Sequence, residues 1–112
     1  MQRFDYVIVG AGSAGCVLAN RLTENPEVEV AILEAGNKDH NLWIHIPAGY
    51  IKTMTNPAVN WLFDTEPDSQ TGNRAIPVPR GKVIGGSSSI NGLVYVRGQS
   101  LDYDTWAQLG NR

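Results

Sequence analysis

The first third of the chain contains two apolar runs separated by an amphipathic stretch. Residues 6–9 form an apolar run with no polar break, which is typical of a short strand buried on both faces. In residues 13–24 the apolar side chains recur at helical spacing, and the Asn-Pro pair that begins at Asn25 ends that pattern. A second apolar run occupies residues 28–33. The pattern predicts strand, helix and strand, and because a helix joins the two strands we expect them to be parallel.

The rest of the chain has a weaker pattern. Five prolines punctuate residues 37–80, where we expect short turns and extended pieces. Residues 81–92 are rich in glycine and serine but also contain valine and isoleucine, which favours a tight backbone loop leading into a helix. A last helix is predicted at about residues 101–109, with Ser100 as its N-cap and Gly110 at its C-terminal end.

Three glycines between the first strand and the helix form a dinucleotide-binding fingerprint, Gly10-x-Gly12-x-x-Gly15. Gly10 permits the tight turn, Gly12 lets a pyrophosphate approach the backbone, and Gly15 lets helix and strand pack closely. The first helical turn, residues 12–14, offers N–H groups to the phosphates. Glu34, at the end of the second strand, can accept hydrogen bonds from an adenosine ribose and disfavours the 2′-phosphate of NADP. On these residues alone, FAD and NAD remain equally open.

Length, charge and cysteine content exclude several classes of protein. The 112 residues allow one domain at most. Nine basic and eleven acidic residues give a net charge of −2, and the basic ones are scattered, which argues against a nucleic-acid groove. The single cysteine, Cys16, excludes an internal disulfide framework and a multi-cysteine metal site. No apolar run reaches the roughly 20 residues that span a bilayer, and no signal peptide precedes the first strand. We therefore expect no transmembrane segment and a cytoplasmic protein.

A second glycine-rich cluster, residues 81–104, decides between the two cofactors. It reads Gly81-Lys82-Val83-Ile84-Gly85-Gly86-Ser87-Ser88-x-Ile90-Asn91-x-x-x-Tyr95-x-x-Gly98-x-x-x-x-x-Asp104. This run resembles the first sequence signature of the glucose–methanol–choline (GMC) oxidoreductases and departs from it nowhere. Residues 5–16, 33–36, 60–61 and 102–110 are also similar to that family. An NAD-dependent enzyme would not explain the second cluster.

The resemblance implies that the cofactor is FAD, with its ADP half on the first motif and its isoalloxazine ring near the second. Close backbone N–H donors at the second motif would stabilise the charge that develops on a flavin during reduction. The predicted cofactor-binding residues belong to the two motifs and to the segments beside them: Gly10, Gly12, Ser13, Ala14, Gly15, Glu34, Ala35, Trp61, Arg80, Gly81, Val83, Gly85, Gly86, Asn91, Gly92, Leu93 and Val94.

Two further features of the family bear on this chain. Some members carry a histidine at the position of Ile90, just before Asn91, and attach the flavin to it covalently. Isoleucine has no nucleophile, so the resemblance implies a non-covalent flavin. The family's catalytic base is a histidine near the C-terminus, and no position here matches that motif. We therefore expect no catalytic residue in this chain.

The predicted function is that of an FAD-dependent alcohol oxidoreductase, which passes a hydride from a CH–OH group to flavin N5. Choline-dehydrogenase-like members are the most similar. The alcohol substrate and the electron acceptor would meet regions outside the chain, and the sequence leaves both, like the oligomeric state, open. Two alternatives remain: an FAD-containing enzyme like the hydroxynitrile lyases, and a non-catalytic dinucleotide-binding remnant.

The expected fold class is α/β. We interpret residues 1–112 as the N-terminal part of an incomplete Rossmann-like FAD-binding domain. It comprises a βαβ start at 4–36, a long irregular segment at 37–80, and a flavin-contacting Gly/Ser loop with short helices at 81–110. A doubly wound sheet places its first strand between the second and later strands. We expect those strands, the substrate domain and the C-terminal part of the FAD-binding domain to lie outside this chain, which alone would be marginal.

Overall fold

A parallel two-stranded sheet with a crossover helix opens the chain, in a computed structural model that describes residues 2–111. Strand β1 spans Tyr6–Val9, helix α1 spans Ser13–Leu22 and strand β2 spans Val30–Leu33. The strands pair in parallel, with Tyr6 opposite Val30 and Val9 opposite Leu33. The predicted βαβ unit and its strand direction are confirmed.

The connection between α1 and β2 is longer than predicted. Helix α1 ends at Leu22, two residues early, with Thr23 as its C-cap; the hydroxyl of Thr23 donates to Ala19 O at 2.8 Å. The backbone then turns, and the N–H of Val28 donates to Asn25 O at 3.1 Å. Strand β2 therefore begins at Val30, and the predicted start at residue 28 was wrong.

The middle of the chain consists of short pieces, as expected from its prolines. Helix α2, Tyr50–Thr53, is one turn long, and strands β3, Phe63–Asp64, and β4, Pro77–Val78, have two residues each. Three separate 3₁₀ turns lie at Leu42–Ile44, Pro47–Gly49 and Ser69–Thr71. Strands β3 and β4 pair antiparallel, with Phe63 opposite Val78.

The last part of the chain contains a 3₁₀ turn at Gly86–Ser89 and helix α3 at Ser100–Gln108. The glycine- and serine-rich loop thus leads into a single 3₁₀ turn. Helix α3 starts one residue earlier than predicted, and its N-cap is Gln99, not Ser100. Gly110 has a φ of 94° and ends the helix as predicted, because its N–H and that of Asn111 donate to carbonyls of the last turn.

The apolar core is small. Its fully buried centre is Val83, packed with Val59 and Ile90, and Ile44 lies against this cluster. The apolar faces of β1, which are typical of a strand buried in a complete sheet, lack cover in this chain, as expected where the later strands are absent: Val9 is 84% exposed. Within residues 2–111, no strand or helix covers the outer faces of β1 and α1. In the same range, no helix is both long and apolar enough to cross a bilayer.

Candidate functional site

The two glycine motifs meet at the carboxyl end of β1. Gly12 and Gly85 form a parallel bridge, and the N–H of Gly85 donates to Ala11 O at 2.8 Å. A Cβ atom on Gly86 would lie only 2.9 Å from Gly12 Cα. The second motif therefore lies directly against the first, which requires glycine at position 86 of the approaching loop.

The first motif has the geometry that its glycines predict. Gly10 has a φ of 97°, a left-handed conformation that makes the turn between β1 and α1. Gly15 is buried, and a Cβ there would overlap Gly10 O. Gly12 is the N-cap of α1 and brings no side chain to cap it, so the first N–H groups of the helix lack a side-chain partner.

Glu34 closes the glycine turn from the end of β2. Its Oε2 accepts a hydrogen bond from Ala11 N at 2.7 Å, and its Oε1 accepts one from Gly36 N at 2.8 Å. The residue is half-buried. Each carboxylate oxygen has a further lone pair, so the same group can still accept from a sugar hydroxyl.

A cleft of about 390 Å³ lies between the two motifs and a third segment around Trp61. It falls within the range of roughly 300–1,000 Å³ that is usual for small-molecule sites. Its lining combines residues from β1, β2 and both glycine motifs: Val9, Gly10, Gly12, Leu33, Glu34, Ala35, Trp61, Phe63, Arg80, Gly81, Gly86 and Ser87. A second opening, of about 490 Å³, shares several of these residues and adds the start of α1 (Ser13, Ala14 and Gly15) and two residues of the second motif (Ser88 and Asn91).

The part of the cleft wall formed by the segment around Trp61 is aromatic, with a basic side chain against it. The Trp61 and Phe63 rings stack with centroids 5.9 Å apart and an interplanar angle of 4°. The Lys82 ammonium lies 4.7 Å from the centroid of the Trp61 ring, a cation–π contact. The N–H of Trp61 donates to Arg80 O at 2.9 Å, which fixes this wall to the second motif.

The serines of the second motif close their own loop. Ser87 Oγ accepts from Gly81 N at 3.0 Å, Ser88 Oγ donates to Gly85 O at 2.6 Å, and Ser89 Oγ donates to Ile84 O at 3.0 Å. Each hydroxyl therefore has a structural partner in the loop.

Some predicted site residues lie outside the cleft. Val83 has no exposed surface and supports the second motif from the core. Gly85 bridges to Gly12 but does not line either opening. Gly92, Leu93 and Val94 lie on a segment without regular structure, and Leu93 lines a separate cavity of about 180 Å³. The cofactor-binding roles of all the predicted residues, these five included, stay predictions.

Five lining residues were missed by the sequence reasoning: Val9, Leu33, Phe63, Ser87 and Ser88. Phe63 follows Trp61 by two positions, but the left-handed conformation of Leu62 interrupts the extended backbone between them, so strand alternation was no signal for Phe63. Val9 and Leu33 are the last residues of their strands, where ligands of α/β sheets bind.

The cleft fits an elongated ligand that carries phosphates and a sugar. At its floor three glycines, Gly10, Gly12 and Gly86, present backbone without side chains, and the uncapped start of α1 favours negative charge. Glu34 can accept from hydroxyl groups on one side. A stacked aromatic pair lies on the other.

Comparison with known proteins gives the family. The sequence profile described as GMC oxidoreductase matches residues 4–112. The chain is 51% identical over 107 residues to an alcohol dehydrogenase [acceptor] of Pseudomonas putida, and 49% identical over 109 residues to an oxygen-dependent choline dehydrogenase of Vibrio vulnificus. These matches cover 96% and 97% of this chain but only 19% and 20% of the relatives.

Solved structures agree with the sequence relatives. Pyridoxine 4-oxidase from Mesorbium loti superposes with a TM-score of 0.80 at 38% identity, covering 95% of this chain and 21% of the oxidase. A formate oxidase of Aspergillus oryzae, studied for the modification of its FAD, gives a TM-score of 0.72 at 37% identity, covering 92% of this chain and 18% of that enzyme. The chain spans about a fifth of the length of the proteins it matches. Fold, paired glycine motifs and relatives together show that the chain belongs to the GMC oxidoreductase family.

Proposed function

We propose that this chain holds FAD in an FAD-dependent alcohol oxidoreductase of the GMC type. The observation that carries the proposal is the contact between the two glycine motifs, where Gly86 lies against Gly12 beside the uncapped start of α1. Dinucleotide cofactors bind at such a glycine turn, with the pyrophosphate at the helix N-terminus. The names of the relatives support an alcohol as the substrate, since choline and pyridoxine both carry hydroxyl groups.

Within this proposal, each part of the cleft binds a different part of the cofactor. Gly12, Ser13 and Ala14 hold the pyrophosphate at the start of α1, and Glu34 accepts from the ribose. Arg80 and the backbone around Gly86 belong to the second motif, which approaches the flavin end. The flavin, when bound, supplies the acceptor for the hydride of the carbinol carbon. The chain itself binds and orients the cofactor, and the base that takes the hydroxyl proton lies outside these residues.

The test uses the protein expressed from its whole coding sequence. We expect a flavin absorbance band near about 450 nm, which fades when an alcohol from a panel that includes choline is added without oxygen. A flavin that binds but is not bleached by any alcohol, together with cleavage of a cyanohydrin, would support the lyase alternative. A protein without flavin would contradict the proposal and favour the remnant.

We propose in addition that the flavin is bound non-covalently. Ile90 is 5% exposed and packs with Val59 and Val83, and its side chain has no group that could bond to a flavin. Acid precipitation of the purified protein separates the alternatives. We expect the yellow colour in the supernatant, whereas colour that stays with the precipitate would show a covalent bond elsewhere in the protein.

The remaining parts of the proposal concern partners and location. An alcohol and an electron acceptor are the expected small-molecule partners, and the cytoplasm is the proposed location. An exposed free thiol at Cys16 suits a reducing compartment. Cell fractionation followed by detection of the protein in the soluble or membrane fraction tests the location.

A further inference from the structure

One buried amide joins the segments that form the aromatic wall of the cleft. Asn60 is 2% exposed and is one of three fully buried side chains among the described residues. Its Nδ2 donates to Met54 O at 2.7 Å. Its Oδ1 accepts from Leu62 N and from Arg80 N, both at 3.0 Å. The two polar atoms of this side chain thus connect three separate parts of the backbone.

The bond to Leu62 holds an unfavourable backbone conformation. Leu62 has a φ of 56°, in the left-handed region that residues other than glycine rarely adopt because the side chain crowds the backbone there. A side-chain oxygen that accepts from the N–H two residues on is a known way to stabilise such a turn. Because Leu62 lies between Trp61 and Phe63, its conformation determines where the two stacked rings lie.

The bond to Arg80 fixes the same wall to the second glycine motif. Asn60 and Gly81 form an antiparallel bridge, and the N–H of Trp61 donates to Arg80 O. Only the Asn60 side chain reaches both the Arg80 N–H and the Leu62 N–H. Removal of this amide would release the turn at Leu62 from the second motif, while the backbone bond between Trp61 and Arg80 and every cleft-lining side chain remain.

We propose that Asn60 is a positioning residue that fixes Trp61, Phe63 and the segment at Arg80 as one wall of the cleft. It does not line the main cleft itself. The positioning is a property of the chain alone, and its effect on cofactor affinity rests on the proposed function. The two parts are therefore measured separately.

The test compares three variants of the full-length protein with the wild type. Asn60→Ala removes all three hydrogen bonds, and Asn60→Asp keeps an oxygen that accepts from both N–H groups but loses the donor. Thr53→Val is the matched control: Thr53 is also completely buried nearby, and its hydroxyl donates only within α2, to Tyr50 O at 3.0 Å. Hydrogen exchange at the amides of Leu62 and Arg80 is the first readout, and FAD affinity of the apoprotein is the second.

For Asn60→Ala we expect exchange at these two amides to accelerate about tenfold or more, the factor for one lost hydrogen bond, with β1 and β2 unchanged. FAD affinity is expected to fall about tenfold, by the same factor. Asn60→Asp restores slow exchange at both amides, and Thr53→Val changes neither readout. Unchanged exchange in Asn60→Ala, or equal effects of Asn60→Ala and Thr53→Val, would overturn the positioning role. A wild type that binds no FAD would contradict the proposed function, while the exchange data would still decide the role of Asn60.

Discussion

At the scale of single residues, Gly12 and Gly15 lie one helical turn apart but face different surroundings. Gly15 packs against the backbone of Gly10, where an added Cβ would overlap the carbonyl oxygen. Gly12 has a φ of −79°, which any residue adopts, and an added Cβ would meet Gly86 Cα at 3.9 Å, an ordinary contact. Gly15 is therefore needed for folding, whereas we expect Gly12 to be needed only for cofactor binding.

Alanine substitutions at these two glycines are expected to separate folding from binding. Gly15→Ala forces α1 away from β1, and overpacking of this kind destabilises by about 1–3 kcal/mol. Gly12→Ala is expected to keep the thermal stability of the apoprotein and to weaken FAD binding at least tenfold, because a methyl group enters the place of the pyrophosphate. Calorimetry and FAD titration of both variants measure this, and equal loss of stability in the two would contradict the distinction.

Glu34 is expected to stabilise the protein before any cofactor binds. Glutamine at this position has one acceptor oxygen, so either Ala11 N or Gly36 N would lose its partner. The loss of one such bond is worth about 1 kcal/mol. Glu34→Gln is thus expected to lower the melting temperature of the apoprotein, and Glu27→Gln, which removes the same charge from an exposed site, is the control. If both variants melt at the wild-type temperature, Glu34 acts on the ligand alone.

The conformation of the glycine turn and the position of Glu34 at the end of β2 could be predicted from the sequence because both depend on backbone geometry, which spacing specifies. The aromatic wall could not be predicted in the same way. Phe63 reaches the cleft through a left-handed turn at Leu62 that depends on the distant carbonyls and amides around Asn60. The burial of Val83 in the core could not be predicted either, because a single valine in a glycine-rich loop shows no hydrophobic periodicity.

At the scale of elements, the order strand, helix, strand follows from short-range patterns, whereas the ends depend on local hydrogen bonds. Helix α1 ends with Thr23 as its C-cap, before the Asn-Pro pair is reached. At α3 the carboxylate of Asp102 accepts from Gln99 N at 2.9 Å, and this bond shifts the N-cap from Ser100 to Gln99. Side chains that compete for the same free N–H groups are hard to rank from sequence alone.

The start of α3 provides a prediction at this scale. Asp102→Ala removes the only side-chain acceptor seen for Gln99 N in the described residues, and loss of a helix cap costs about 1 kcal/mol. We expect faster hydrogen exchange over residues 99–104 of the full-length protein. Asp104→Ala changes an acid in the same helix without touching this bond and serves as the control. Equal exchange in both variants would contradict a capping role for Asp102.

At the scale of the whole molecule, the chain is open. Its radius of gyration is 18.5 Å, whereas a compact domain of 100 residues has about 13 Å. Large apolar side chains are exposed on β1, on the segment around Tyr95 and along α3, including Val9 at 84% and Tyr95 at 87%. The hydrophobic pattern predicted the sheet correctly but gave no measure of this exposure, since burial depends on what packs against a strand and not on the strand itself.

This exposure leads to a prediction for the 112-residue chain prepared by itself. We expect it to bind the dye 8-anilinonaphthalene-1-sulfonate strongly and to associate at micromolar concentration, because large exposed apolar patches are unusual on monomers. The full-length protein serves as the comparison and is expected to bind less dye per chain. A monomeric 112-residue chain without dye binding would contradict the prediction.

FAD titration of the full-length apoprotein tests most directly whether the cofactor binds where Gly12 and Gly86 are in contact. Gly86 and Gly72 have similar left-handed φ angles of 61° and 66°, so alanine at either adds comparable backbone strain. Only at Gly86 would the added Cβ meet Gly12, whereas nothing lies within 4 Å at Gly72. We expect Gly72→Ala to bind FAD as the wild type does and Gly86→Ala to lose at least tenfold in FAD affinity. Wild-type affinity in Gly86→Ala would contradict a cofactor cleft built where the two motifs meet.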